Sequence, residues 1–210
     1  MEGDTLDRRD ARIMLSIGTL QEGDADSQFY SPRGLAFDHH RGLLLVVDTF
    51  NNRVQVFSCD DDAAGDPFVS KFGEKGNQPG QLNYPWGLAI DHDHDRILIT
   101  DTINHRVQSW SLSEQSFLSC IGQRGSGDLE FNNPRGIAID KHHHRIVIVD
   151  TNNNRLVFLS SIDLSFLFSI GKYGRQPGEF ERPSSIAIDD DRHRIIVSDT
   201  FNNRVQVLSS

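Results

Sequence analysis

Apolar residues in this chain fall into short runs separated by polar turns, and the alternation is periodic. One run follows a proline by two residues: Gly34-Leu35-Ala36-Phe37-Asp38, Gly87-Leu88-Ala89-Ile90-Asp91, Gly136-Ile137-Ala138-Ile139-Asp140 and Ser185-Ile186-Ala187-Ile188-Asp189. An alanine between two large apolar residues in every copy predicts a strand covered on both faces, one of them crowded. The next run is nearly all aliphatic: Leu44–Val47, Ile97–Ile99, Ile146–Val149 and Ile195–Val197. A third begins at Val54, Val107, Leu156 and Val205, and a fourth ends in glycine at Gly73, Gly122 and Gly171. Three residues before each following proline stands an apolar residue, Leu82, Phe131 or Phe180, expected to plug the core.

The copies keep register. Pro32/Asp48, Pro85/Asp101, Pro134/Asp150 and Pro183/Asp199 are each sixteen residues apart, and the copies follow one another at intervals of 53, 49 and 49. The four extra residues fall in a loop at residues 60–67. Four short antiparallel strands repeated at roughly 40–50 residues predict an all-β chain of β-propeller blades. The units run at about 32–73, 85–122, 134–171 and 183–208 within one domain spanning 12–210, after a patternless charged leader at 1–11. Ile13-Met14-Leu15-Ser16-Ile17-Gly18 matches the fourth strand, and the chain ends after a third strand. The expectation is therefore a four-bladed ring in which residues 12–18 complete the last blade and remove an open edge. The alternative is an open arc of a six-bladed propeller.

Composition narrows the function classes. A net charge of −9 opposes a general affinity for phosphate backbones, which leaves RNA as a disfavoured partner. No apolar run reaches membrane-spanning length, and Met1–Leu15 carries charges where a signal peptide needs an apolar stretch. A cytoplasmic location is expected, with no membrane contact. Cys59 and Cys120 occupy non-equivalent positions without metal spacing and are read as two thiols.

Between the second and third runs the chain spells one hexapeptide four times: Asp48-Thr49-Phe50-Asn51-Asn52-Arg53, Asp101-Thr102-Ile103-Asn104-His105-Arg106, Asp150-Thr151-Asn152-Asn153-Asn154-Arg155 and Asp199-Thr200-Phe201-Asn202-Asn203-Arg204. Asp and Asn favour tight turns through bonds to nearby backbone N–H groups, and the arginine can fork onto a carboxylate. Repetition in every blade marks these turns as architecture rather than a ligand site.

The whole pattern, Pro-x-Gly-φ-Ala-φ-Asp followed by an aliphatic run, Asp-Thr-x-Asn-(Asn/His)-Arg and a terminal glycine, resembles the NHL repeat over residues 12–210. That resemblance implies a β-propeller, usually of six blades, in a family that includes tripartite-motif ubiquitin ligases, a bacterial receptor kinase sensor and the peptide amidating lyase. It implies recognition of protein or RNA. Two cysteines cannot supply a RING finger or B-box, so a part in ubiquitination requires another chain. The lyase would need a metal-bound histidine set with a catalytic Arg and Tyr at the channel. Here Tyr30, Tyr84 and Tyr173 lie in loops, and His105 is the one histidine expected on the face of the Asp-Thr turns. No nucleophile–base pair and no phosphate loop are legible. A non-catalytic module for a protein or peptide partner, without cofactor and of open oligomeric state, is the resulting expectation.

Two places carry candidate chemistry. The residue after each proline differs among copies: Arg33, Trp86, Arg135 and Ser184. Variation within a strict repeat is where specificity can be written, and two guanidinium groups beside an indole suit an acidic or C-terminal peptide. The competing expectation is that they cap the core and pair with loop acids such as Glu74 or Glu130. On the opposite face, eight of the nine histidines crowd the turns between first and second strands: His39, His40, His92, His94, His142, His143, His144 and His193. Imidazole and carboxylate together could hold Zn²⁺, Ni²⁺ or Cu²⁺, but no ligand spacing recurs from copy to copy, so no metal is expected.

Overall fold

The sixteen-residue interval between proline and aspartate is the register of a hairpin. In the computed structural model, which describes residues 16–59 and 66–209, Pro32 pairs with Asp48, Pro85 with Asp101 and Pro134 with Asp150 across the first two strands of their blades. The leader at 1–11 and residues 12–15 of the expected closing strand lie outside the described residues.

The first blade comprises β1 (Pro32–Asp38), β2 (Leu43–Asp48), β3 (Arg53–Ser58) and β4 (Phe68–Phe72). The second comprises β5 (Pro85–Asp91), β6 (Arg96–Asp101), β7 (Arg106–Ser111) and β8 (Phe117–Ile121). A minor parallel pair, β9 (Gln123–Arg124) and β10 (Glu130–Phe131), follows in the connecting loop. The third blade is β11 (Pro134–Asp140), β12 (Arg145–Asp150), β13 (Arg155–Ser160) and β14 (Phe166–Ile170). The fourth holds β15 (Ser185–Asp189), β16 (Arg194–Asp199) and β17 (Arg204–Ser209). Each blade is an antiparallel meander in chain order. The expected boundaries shift slightly: each fourth strand stops one residue before its glycine, which turns the chain at positive φ (Gly73 87°, Gly122 103°, Gly171 97°). A Cβ on Gly122 would lie 2.5 Å from the ring of Phe131, so the turn also makes room for the plug.

Aliphatic side chains from facing sheets fill three layers between four blades. Val47, Val54 and Val56 meet Leu88, Ile97 and Ile99; Leu98 and Val107 meet Ile137, Ile146 and Ile148; Val147, Val149 and Phe158 meet Ile195 and Val197. Leu82, Phe131 and Phe180 are fully buried in these layers, as their position before each proline predicts.

First strands stand beside one another around a channel, β1 against β5, β5 against β11 and β11 against β15. This closeness explains the glycine of Pro-x-Gly. A Cβ on Gly34 would meet the Trp86 carbonyl at 2.5 Å, one on Gly87 the Arg135 carbonyl at 2.5 Å, and one on Gly136 the Ser184 carbonyl at 3.0 Å. The fourth copy carries Ser185 there, and Ser185 is exposed. The two ends of the stack are exposed as well: Leu35 (63%) and Phe37 (50%) on the first blade, Val205 (63%) and Val207 (58%) on the last. Of the segment expected to close the ring, Ser16, Ile17 and Gly18 form no strand, and the fourth sheet has three strands among the described residues. The described blades thus form the open arc given as the alternative. Ala36, Ala89 and Ala138 are half-buried rather than fully enclosed, and Ala36 and Ala89 pack against the core layers between blades.

Candidate functional site

The hexapeptide turns form one buried network repeated four times. In the second blade, Asp101 accepts from the Asn83 N–H (2.7 Å), Asn104 Nδ2 (2.9 Å), Arg106 Nε (2.7 Å) and Gln108 Nε2 (2.9 Å). The rest of the Arg106 guanidinium donates to the carbonyls of Asn77, Gln78 and Gln81 in the loop entering the blade. Arg53, Arg155 and Arg204 repeat this with Asp48, Asp150 and Asp199, each Nε at 2.8 Å from its carboxylate. Each arginine thus neutralises the aspartate of its own turn and clasps the loop before it, which makes these turns structural staples.

The fifth hexapeptide residue reaches the next blade. Asn52 Oδ1, His105 Nδ1 and Asn154 Oδ1 accept the N–H of Tyr84, Asn133 and Arg182, the residues preceding the following prolines. Those residues adopt left-handed backbone (Tyr84 56°, Asn133 55°, Arg182 47°), which turns each loop into its first strand. Burial, then the Arg124 charge, lowers the His105 pKa, in keeping with a neutral ring that accepts a hydrogen bond.

This geometry delivers the residues after each proline to the channel mouth. A cleft of about 180 Å³ there is lined by Arg33, Trp86 and Ser184 with the glycines and aliphatic residues of the first strands. Arg33 Cζ lies 3.8 Å and Arg135 Cζ 4.1 Å from the centre of the Trp86 ring, both within cation–π range. Arg33 also donates to the Tyr84 hydroxyl (3.2 Å). Ser184 stays within its own blade, bonded to Ser198 Oγ (3.1 Å) and Thr200 Oγ1 (2.7 Å). Three of the four expected residues therefore converge, and the fourth lines the far wall.

The expected pairing with Glu74 or Glu130 does not occur. Glu74 accepts from Gln81, and Glu130 accepts from Gln123, Ser126 and Gly127. Arg33, Arg135 and Arg182 have no carboxylate partner among the described residues. Burial, then the charges of Arg182 and Arg33, push the Arg135 guanidinium below its ordinary range, and its buried Nε has no hydrogen-bond partner. The mouth of an acidic chain is thus a concentration of unneutralised positive charge.

Tyr84 and Arg182 were missed by the sequence reading. They occupy the position before proline, where the copies also disagree (Ser31, Tyr84, Asn133, Arg182), so the same signal would have found them. Phe50 of the first hexapeptide lies 4.7 Å from Tyr30 and 5.1 Å from Tyr84 by ring centres, extending an aromatic row to Trp86. Arg182 lies 4.8 Å over Phe201 at the other end.

On the opposite face the histidine turns divide. His94 engages Asp91 (3.0 Å), while His143 engages Asp140 (3.0 Å) and packs near His142 and His193. His39, His40 and His92 instead face one another. The required lyase-type histidine set is not assembled at the Arg33–Trp86 mouth, where His105 is committed to the Asn133 backbone.

The fold is that of a β-propeller, and two stretches of the chain, residues 29–57 and 82–109, match the NHL repeat model. A second family model, described as a 6-bladed beta-propeller, matches residues 138–208. Among curated relatives, NHL repeat-containing protein 2 of Gallus gallus is 26% identical over 48% of this chain and 14% of its own length. Protein brain tumor of Drosophila melanogaster is 32% identical over 42% of this chain and 8% of its own length. The chain therefore aligns with a small part of these relatives. Of solved structures, the streptogramin B lyase structure superposes with TM-score 0.60 at 13% identity, over 85% of this chain and 51% of that one. The nidogen/laminin complex gives TM-score 0.55 at 18% identity, over 85% and 65%. These likenesses concern the fold. No helix among the described residues is long and apolar enough to cross a membrane.

Proposed function

We propose that this propeller is a non-catalytic binding module that captures a protein or peptide segment bearing carboxylates, with Arg33, Trp86 and Arg135 as its centre. The observation that carries this reading is that Arg33 and Arg135, stacked on Trp86 at the mouth, and the neighbouring Arg182 have no carboxylate partner among the described residues. Unneutralised guanidinium groups held close together repel one another, and an incoming carboxylate relieves that repulsion while offering two acceptors to a planar fork. Trp, Tyr and Arg are also the residues that dominate protein recognition energies, and exposed Tyr30 and Phe50, packed in a row with part-buried Tyr84, would give a peptide apolar footing beside the charged centre.

The test is titration of an acidic peptide library, with a free C-terminal carboxylate in one arm and an amidated terminus in the other. Binding should be lost in an Arg33→Ala/Arg135→Ala double variant and retained in Lys172→Ala, which lies outside the mouth. Equal binding by the double variant sinks the proposal. Tight binding of single-stranded RNA in preference to every acidic peptide, with affinity falling steeply as salt rises, would replace it by nucleic-acid recognition.

A further inference from the structure

The geometry points to a transition-metal site shared between the first two blades, with His39, His40 and His92 as ligands for Zn²⁺. One nitrogen from each of the three rings lies within 4.8 Å of one from each of the others. The ring centres are 4.2 Å (His39–His40), 4.9 Å (His39–His92) and 4.2 Å (His40–His92) apart. A tetrahedral zinc with Zn–N bonds of about 2.0–2.1 Å needs ligand nitrogens roughly 3.3–3.4 Å apart, so the rings must close by up to about 1.5 Å. His39 and His40 are exposed and free to make that adjustment by side-chain rotation, whereas His92 is largely enclosed and supplies the fixed point.

The sequence hides this site because its ligands come from two copies. His39 and His40 sit on the β1–β2 hairpin, and His92 opens the short 3₁₀ turn His92–His94 after β5. Spacing within one copy therefore carries no ligand signature; the stacking of adjacent blades creates it. Behind the triad, buried Asp38 lies 3.9 Å from His92 Nε2, too far for a hydrogen bond but near enough for its charge to offset the metal's. Asp38 is itself fixed by the backbone N–H of His40 (3.0 Å) and by Arg41 Nη1 (3.0 Å).

The third and fourth blades provide an internal control. His142, His143 and His193 cluster too, but His143 Nδ1 is spent on Asp140 and the ring centres of His143 and His193 are 6.1 Å apart. That group does not converge on one point as the first triad does. Three imidazoles leave the fourth coordination position of zinc open to water or to a carboxylate.

The experiment is isothermal titration of untagged, chelator-treated protein with Zn²⁺. One saturable site per chain is expected, weakened about tenfold or more by His92→Gln. His40→Gln, at an exposed position, should weaken it comparably and secures the test if His92→Gln disturbs folding, which far-ultraviolet dichroism monitors. His142→Gln/His193→Gln should leave the affinity unchanged. Absence of saturable heat in the wild type overturns the proposal, as does equal weakening by the two sets of variants, which would mean scattered surface binding.

Discussion

Removing one staple arginine should cost most where the stack encloses it and least at the end. Arg106→Met keeps the apolar stem of the side chain and deletes the charge, stranding Asp101, whose side chain is 0% exposed. Breaking a buried ion pair from one side costs about 3–5 kcal/mol, because the remaining carboxylate is desolvated without a counter-charge. The N–H groups of Asn83, Asn104 and Gln108 still face that carboxylate, which places the loss near the lower bound, about 3 kcal/mol. In the fourth blade the same bonds exist, but the Arg204 side chain is 29% exposed against 10% for Arg106. Water can replace Arg204 in part, so Arg204→Met should cost about 1–2 kcal/mol, between the exposed and buried limits. Urea denaturation followed by far-ultraviolet dichroism reads the difference, and in a thermal melt Arg106→Met should fall by roughly 6–12 °C at this chain length. Adding Asp101→Asn to Arg106→Met should recover stability, since the stranded charge is then gone. A loss below about 1 kcal/mol for Arg106→Met, or an equal or larger loss for Arg204→Met, refutes the reasoning.

Three further outcomes follow from the same geometry. Gly87→Ala forces a Cβ to 2.5 Å from the Arg135 carbonyl and should destabilise by about 1–3 kcal/mol in urea titration, whereas Ser185→Ala should change stability by under about 0.5 kcal/mol. His105→Asn restores the acceptor that Asn52 and Asn154 use and should be tolerated, while His105→Ala leaves the Asn133 N–H unpaired at about 1–3 kcal/mol in the same assay. Because the folded-state pKa of His105 is lowered, its protonation opposes folding as pH falls below about 6.5, and His105→Asn should remove that part of the wild-type decline. Carboxyl NMR should find Asp150 and Asp199 moved in opposite directions. Burial raises both, and at Asp150 it prevails; at Asp199 the Glu181 N–H with Asn202, Arg204 and Gln206 outweighs it. Asp199 therefore adds stability above about pH 3.9 that is lost as pH falls through its depressed folded value, and Asp150 contributes with the opposite sign.

What the sequence made legible was whatever one copy of the repeat encodes by itself. The Pro–Asp interval is a hairpin register within one blade, so spacing alone located the hairpin, and the Asp–Arg pairing is local to one turn. The grip of each arginine on the loop before it was not legible, because its acceptors are backbone carbonyls, which any sequence supplies. Ring closure was illegible for a related reason: it depends on whether the faces bearing Leu35 and Val205 meet, and an aliphatic strand face looks the same whether or not it is covered.

Comparison of copies reaches further when it is read as geometry rather than as a count of identities. The third residue of Pro-x-Gly is glycine at 34, 87 and 136 because the next blade's carbonyl presses on it, and the serine at 185 stands where no described blade does. At Trp86, Arg135 and Ser184 the residue between that proline and glycine presses its carbonyl on the neighbouring blade's glycine, a contact the backbone makes whatever the side chain is. Positions 33, 86, 135 and 184 can therefore differ from blade to blade while the Pro-x-Gly backbone contact is kept, and chemistry can be placed there one blade at a time. The histidine triad obeys the opposite logic, since it exists only when two particular hairpins are stacked. A repeat protein thus has two kinds of site, one written within a unit and one created by adjacency, and only the first is visible to an alignment of its copies.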